Sequence, residues 1–277
     1  MEITGGGSVF GPDRNLKSLD KNNRELNKIL KKLSTSLRIN QASDDAAGLS
    51  ISEQLRTQIR GFNAASQNVT DASSALSIAD GTGNEVSDIL QRQRALALQS
   101  GNDTLTDEQR KGIDSEYQSL TSEIDRITSA AQFNTQNVAN GQGLSSGSSQ
   151  IQAGANAGDQ IQVPVTDMTA NSLGVSGTSV IDRTSAEAAL SKLDSALNSL
   201  NAQRSTIGSM MNRLGSAEST LSIAEINTQA AESVLRDQDM AAGLAELTRQ
   251  QLLTESGTTA FSRFNEINAQ NLFGLLK

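Results

Sequence analysis

Leucines and isoleucines recur at alternating spacings of three and four near both ends of this chain, while the stretch between is rich in Gly, Ser, Thr and Asn. Near the N-terminus the seam runs Leu16, Leu19, Asn23, Leu26, Leu30, Leu33 and Leu37, a heptad a/d pattern with one polar interruption. In the last third Leu190, Leu193, Leu197, Leu200, Arg204, Ile207, Met211 and Leu214 keep the same beat. A helix with so narrow an apolar stripe buries it only against other helices. The expected fold is mainly α: a long coiled-coil-like helical bundle formed by the N- and C-terminal segments, with assembly as its function.

Six Phe, one Tyr and no Trp in 277 residues supply little of the aromatic area that fills a globular core. Pro12 and Pro164 both lie outside the periodic segments, so nothing breaks the helices from within. Without Cys or His the chain lacks thiolate chemistry, the commonest metal ligand and the usual general base. No catalytic, cofactor or metal site is expected, and a carboxylate-only site needs a concave pocket that rods do not offer. A net charge of −8 argues against general nucleic-acid binding, and the lack of long apolar runs and anchoring aromatics argues against a membrane. The charge is uneven, however. Lys17, Lys21, Arg24, Lys28, Lys31, Lys32 and Arg38 outnumber Asp20 and Glu25 in the first rod. They form either a solvated basic face or a match for the acidic-leaning end segment with Asp237, Asp239, Glu246, Glu255 and Glu266.

The periodicity predicts a first helix over 13–39, with Asn23 either fixing register on the seam or facing a gap or water. A second tract over 46–100 follows Ser43 or Asp44 as N-cap, with Gly81-Thr82-Gly83 as the expected bend. Thr104-Leu105-Thr106-Asp107 offers a capping box for a third helix carrying Ile113, Tyr117, Leu120, Ile124 and Ile127. Glycines then punctuate short alternating runs to residue 183, the pattern of small hairpins or exposed loops that contribute little to packing. Thr184-Ser185-Ala186-Glu187 caps a helix to about 236, and a last helix spans about 240–275 with Leu244, Leu247, Phe261, Phe264, Leu272 and Leu275. Because Arg204, Glu218 and Glu225 fall on the strict heptad extension, the stripe is expected to drift onto Ala217 and Ala224. Residues 1–10 have neither a basic start nor an apolar run, so no cleaved signal peptide is expected, and Gly5-Gly6-Gly7 should be flexible.

Leu33-Ser34-Thr35-Ser36-Leu37-Arg38-Ile39-Asn40, followed by Ser43-Asp44-Asp45-Ala46-Ala47-Gly48-Leu49, resembles the most distinctive segment of bacterial flagellin. Gln58-Ile59-Arg60-Gly61, Glu123-Ile124-Asp125-Arg126-Ile127, Asn212-Arg213-Leu214 and Glu232-Ser233-Val234-Leu235-Arg236-Asp237-Gln238-Asp239 match the family in order. The likeness covers about 16–140 and 186–277. It implies an exported structural subunit of the flagellar filament, extracellular and self-polymerising. Residues 1–43 and 240–277 would pair as an inner coiled-coil domain, 44–140 and 184–239 would form a helical rod, and 141–183 a short variable hairpin or loop insert. The family also implies an export chaperone binding about 237–277, contacts with hook-associated and cap proteins, and a segment recognised by the animal Toll-like receptor for flagellin at Arg92, Leu96 and Glu116. Ala95 stands where that segment usually has Glu. The start of the chain is longer and more glycine-rich than the family's, which keeps a minor flagellin or hook-filament junction adapter as the alternative, ahead of a secreted adhesin or effector on the same scaffold.

Overall fold

The computed structural model describes residues 12–275 apart from 148 and 165, and places the side chains of that span except those of 12–15, 145, 268, 269 and 271–275. The glycine-rich start and the Leu272 and Leu275 side chains therefore lie outside the described residues. The elements are α1 (Pro12–Thr35), α2 (Ala46–Ser100), α3 (Asp107–Ala130), the hairpin β1 (Gln132–Phe133) and β2 (Gln136–Asn137), the hairpin β3 (Gln150–Gln152) and β4 (Gln160–Gln162), α4 (Arg183–Arg236) and α5 (Met240–Leu275). Two compact units result: unit 1 comprises residues 1–57 and 228–277, and unit 2 residues 58–227.

Short polar side chains fix where α2, α3, α4 and α5 begin, and at three of these starts the cap differs from the expected residue. Asp45 Oδ1 accepts from the Gly48 amide at 2.9 Å, so Asp45 caps α2 in place of Ser43 or Asp44. The Thr104 amide donates to Asn102 Oδ1 in the preceding turn, and the reciprocal capping box forms two residues later between Thr106 and Gln109. Asp182, not Thr184, caps α4, accepting both the amide and the hydroxyl of Ser185 at 2.8 and 2.9 Å. The first helix also stops four residues short of its expected end. Ser36 turns left-handed at φ 57° and the chain leaves the helix to pair with a segment two hundred residues away. Conversely, α2 runs unbroken through Gly81 and Gly83. Gly83 serves close approach rather than a bend, since a Cβ there would sit 3.1 Å from the Arg204 stem.

Unit 2 holds the sealed core. From α4 it buries Ala186, Ala189, Leu193, Ala196, Leu200, Ile207, Met210 and Leu214. The expected series Leu193, Leu200, Ile207, Leu214 is there, but its companions lie three residues after it, not three before. Arg204 thus falls beside the seam, where it bonds Asp80 on α2 at 3.0 Å, and Ala217 and Ala224 are half-buried as expected. Leu190, Leu197 and Met211 pack at the edge of the core, so the α4 stripe is three lines wide rather than two.

The second half of residues 141–183 is core, which overturns the expectation of loops that pack little. Val163, Met168, Ala170, Leu173, Val175 and Val180 are buried, and carboxylates on α3 tie the strap down. Asp125 accepts from the Ala170 amide at 2.9 Å, and Asp114 from the Val180 amide at 2.7 Å and the Ser179 hydroxyl at 2.8 Å. The Tyr117 hydroxyl meets Thr178 at 2.8 Å, completely buried. Each apolar side chain enters the core singly, between turns, so no periodicity announces it.

Candidate assembly interface

In unit 1, α1 and α5 pack antiparallel, with Leu33 over Gly243 and Leu19 over Gly257. A Cβ at these glycines would sit 2.8 and 3.1 Å from the leucine methyls. The glycines are holes for leucine knobs. Midway between them Gln250, 5% exposed, donates to the Asn22 carbonyl at 3.0 Å. Gly243, Gln250 and Gly257 repeat every seven residues, a signal the leucine pattern hides.

The α1 line facing α5 is Leu19, Asn22, Leu26, Ile29 and Leu33, all half-buried. Of the remaining seam residues, Leu37 is half-buried in the connector, Leu247, Phe261 and Phe264 are half-buried on α5, and Leu16, Asn23, Leu30 and Leu244 stay exposed. Leu252, Leu253 and Ile267 on α5 are exposed as well. The described part of unit 1 buries one hydrophobic side chain, Ile39.

That residue anchors a junction built from two distant motifs. Leu37 pairs antiparallel with Asp237, the Arg38 amide donates to the Arg236 carbonyl at 2.7 Å, and the Gln238 amide donates to the Ser36 carbonyl at 3.0 Å. Arg38 also reaches the Leu235 carbonyl at 2.6 Å, and Arg236 binds Glu53 at 3.1 Å. Ile39 packs so tightly on Gly48 that a Cβ there would sit 2.8 Å from its methyl. Asp44 closes the loop by accepting from the Asn40 and Gln41 amides, each at 3.1 Å. Burial pushes its carboxyl up, but those two amides and the nearby Lys32 and Lys31 outweigh it and hold the carboxyl below its ordinary range. The connectors bring together residues that sequence reasoning matched as motifs without placing them in contact.

In unit 2, Arg92 on α2 bonds Glu116 on α3 at 2.7 Å, with both side chains about half exposed. Leu96 is 2% exposed and belongs to the core. Among the described residues no three metal-ligating side chains cluster, and no helix is long and apolar enough to cross a membrane.

The family model for the bacterial flagellin N-terminal helical region matches residues 13–144, and that for the C-terminal helical region matches residues 190–276. A flagellar filament core protein of Treponema maltophilum is 40% identical, covering 92% of this chain and 93% of its own length. A flagellin of Halalkalibacterium halodurans is 38% identical, covering 86% of this chain and 88% of its own. The crystal structure of Bacillus cereus flagellin aligns at 31% identity with a TM-score of 0.49, over 56% of this chain and 88% of that one.

Proposed function

We propose a function from one premise: this chain belongs to the bacterial flagellin family. It is a structural subunit of the flagellar filament and polymerises with copies of itself. The observation that carries the mechanism is the uncovered line on the terminal helices. In α4 the third apolar line is covered within unit 2, whereas Leu16 and Leu30 on α1 and Leu244, Leu252 and Leu253 on α5 remain exposed. Exposed apolar rows of this kind mark an interaction surface, and neighbouring subunits cover them in the filament.

On this reading residues 1–43 and 240–277 form the inner coiled-coil layer, 44–140 and 184–239 the surrounding rod, and 141–183 a surface insert whose second half also closes the rod core. The assembly seam comprises Leu16, Leu19, Asn23, Leu26, Leu30, Leu33, Leu37, Leu244, Leu247, Phe261, Phe264, Leu272 and Leu275. Leu19, Leu26 and Leu33 serve the α1–α5 contact, and Leu16 and Leu30 the contacts between subunits. The segment from about 237 to 277 takes the export chaperone, and the filament ends take the hook-associated and cap proteins. The protein has no enzymatic role and works outside the cell. Receptor recognition of the rod would use Arg92 and Glu116, with Leu96 holding the helix beneath them.

Negative-stain microscopy of purified protein after seeding tests the assignment. Long filaments are expected, and a product that stops at short stubs would point to a hook-filament junction adapter.

A further inference from the structure

Lys17, Lys21 and Arg24 are exposed, and none of them belongs to an ion pair among the described residues. Lys28, next in the row, holds only the neighbouring Glu25, at 3.1 Å. At about 100° per residue, Lys17 sits half a turn around the helix from Leu26, so this basic row is turned away from α5. Among the described residues no ion pair joins α1 to α5, so the acidic-leaning end segment does not neutralise the row within the chain.

On α4 most carboxylates are already matched: Glu187 to Arg183 at 3.0 Å, Asp194 to Arg94 at 2.8 Å, and Glu232 to Arg236 at 3.8 Å. Glu218 and Glu225 are the pair left over. They stand seven residues apart, the same step that separates Lys17 from Arg24, and seven residues of helix rise about 10 Å. Two helices laid side by side can therefore satisfy both pairs at once in either direction. The flanks agree, since Ile226, about a quarter turn around α4 from the two carboxylates, is 62% exposed, and Leu16, about a quarter turn around α1 from Lys17, is 49% exposed. Glu255 and Glu266 on α5 are eleven residues apart and do not match the step.

We infer that the basic row of α1 docks along the Glu218–Glu225 row of α4 in a second copy of this chain. The inference rests on the filament reading. Each subunit carries both rows, so each contact leaves one row of either copy free and the arrangement propagates as a heterologous interface does. The charge pairing sets register and approach, while the apolar flanks supply the area.

Three variants test it: Lys17→Glu with Arg24→Glu, Glu218→Lys with Glu225→Lys, and all four changes in one chain. Seeded polymerisation is followed by sedimentation from about 0.05 to about 0.5 M salt, with monomer melting by circular dichroism as the folding control. Each double reversal should raise the critical concentration about tenfold at low salt, and the fourfold variant should return to near the wild-type value. The wild type should polymerise less readily as salt rises. Wild-type filaments indifferent to both reversals, or a fourfold variant no better than its parents, would overturn the inference alone. Binding of the α1 row to anionic vesicles, with polymerisation unchanged by reversal, would overturn it in favour of a lipid partner. A wild-type chain that forms no filaments would overturn the filament reading and this inference with it.

Discussion

Unit 2 and unit 1 are built from helices with the same three-and-four spacing, yet one closes a core and the other does not. Apart from Ile39, every buried hydrophobic among the described residues lies in unit 2. In α4 the lines on both sides of Leu193, Leu200, Ile207 and Leu214 find cover: Ala189, Ala196 and Met210 inside, Leu190, Leu197 and Met211 at the edge. In α1 the line Leu19, Leu26 and Leu33 has Asn22 and Ile29 as inner companions, but Leu16 and Leu30 have no cover. A two-helix contact in water removes too little apolar area to offset much ordering entropy. On the proposed filament reading, the third line of unit 1 is stability held back until a second copy arrives.

The largest consequence concerns local opening. Amide exchange of the monomer should show protection in α3 and the middle of α4 exceeding that in α1 and α5 by about a thousandfold or more, equivalent to ~4 kcal/mol. In filaments the gap should narrow sharply. Equal protection of α1 in monomer and filament would mean that unit 1 closes within one chain, and the comparison would break.

Truncation sharpens the contrast next. Leu193→Ala empties a fully buried site and should cost the monomer about 2 to 5 kcal/mol. Leu30→Ala removes a side chain 44% exposed and should change monomer stability by under about 0.5 kcal/mol, while raising the critical concentration for polymerisation. Chemical denaturation paired with sedimentation reads both. A Leu30 variant that loses monomer stability and still polymerises normally would place that leucine inside the subunit.

Helix spans were legible because alternation of three and four over many turns admits only one secondary structure, and α2 and α5 fall where the spacing puts them. The phase of the seams was not. Leucine and methionine announce themselves, whereas Ala189 and Ala196 contribute little to a hydrophobicity pattern yet are the residues that admit close helix contact. The visible leucine pattern therefore runs through Leu190 and Leu197 and through Leu16 and Leu30, whereas the more deeply buried companions, Ala189 and Ala196 on α4 and Asn22 and Ile29 on α1, lie on the other side of each central line. The glycine holes Gly243 and Gly257 escaped for the same reason. The strap of unit 2 was illegible because Met168, Ala170 and Val175 enter the core from irregular backbone. The junction depends on Leu37 meeting Asp237 across a separation that no local pattern encodes.

The junction is where unit 1 carries its one buried hydrophobic side chain among the described residues, so it should respond to substitution more as unit 2 does. Gly48→Ala places a methyl 2.8 Å from Ile39 and 2.5 Å from the Asp45 carboxylate that caps α2. Overpacking of this kind costs about 1 to 3 kcal/mol, and the expected readout is faster amide exchange at Arg38 and Gln238 with α3 unchanged. Unaltered exchange there would mean that Ile39 has room to move aside, and the junction would belong with the open surfaces of unit 1.

The smallest effect comes from acid. With the Asp44 carboxyl held below its ordinary value of 3.8 in the folded chain, the loop stability it contributes is present above that value and is lost as pH falls through the lower, folded value. Its site is mostly open to solvent, so screening keeps the contribution modest. The amide resonances of Asn40 and Gln41, which donate to this carboxylate, should titrate with a common midpoint below 3.8. Asp44→Ala should abolish that titration and leave the strap amides of Ala170 and Val180 undisturbed, because they report on Asp125 and Asp114 in the other unit. A midpoint at or above the ordinary value would mean that burial outweighs the two amides, so that the carboxylate weakens the junction at neutral pH and Ile39 packing alone holds the two connectors together.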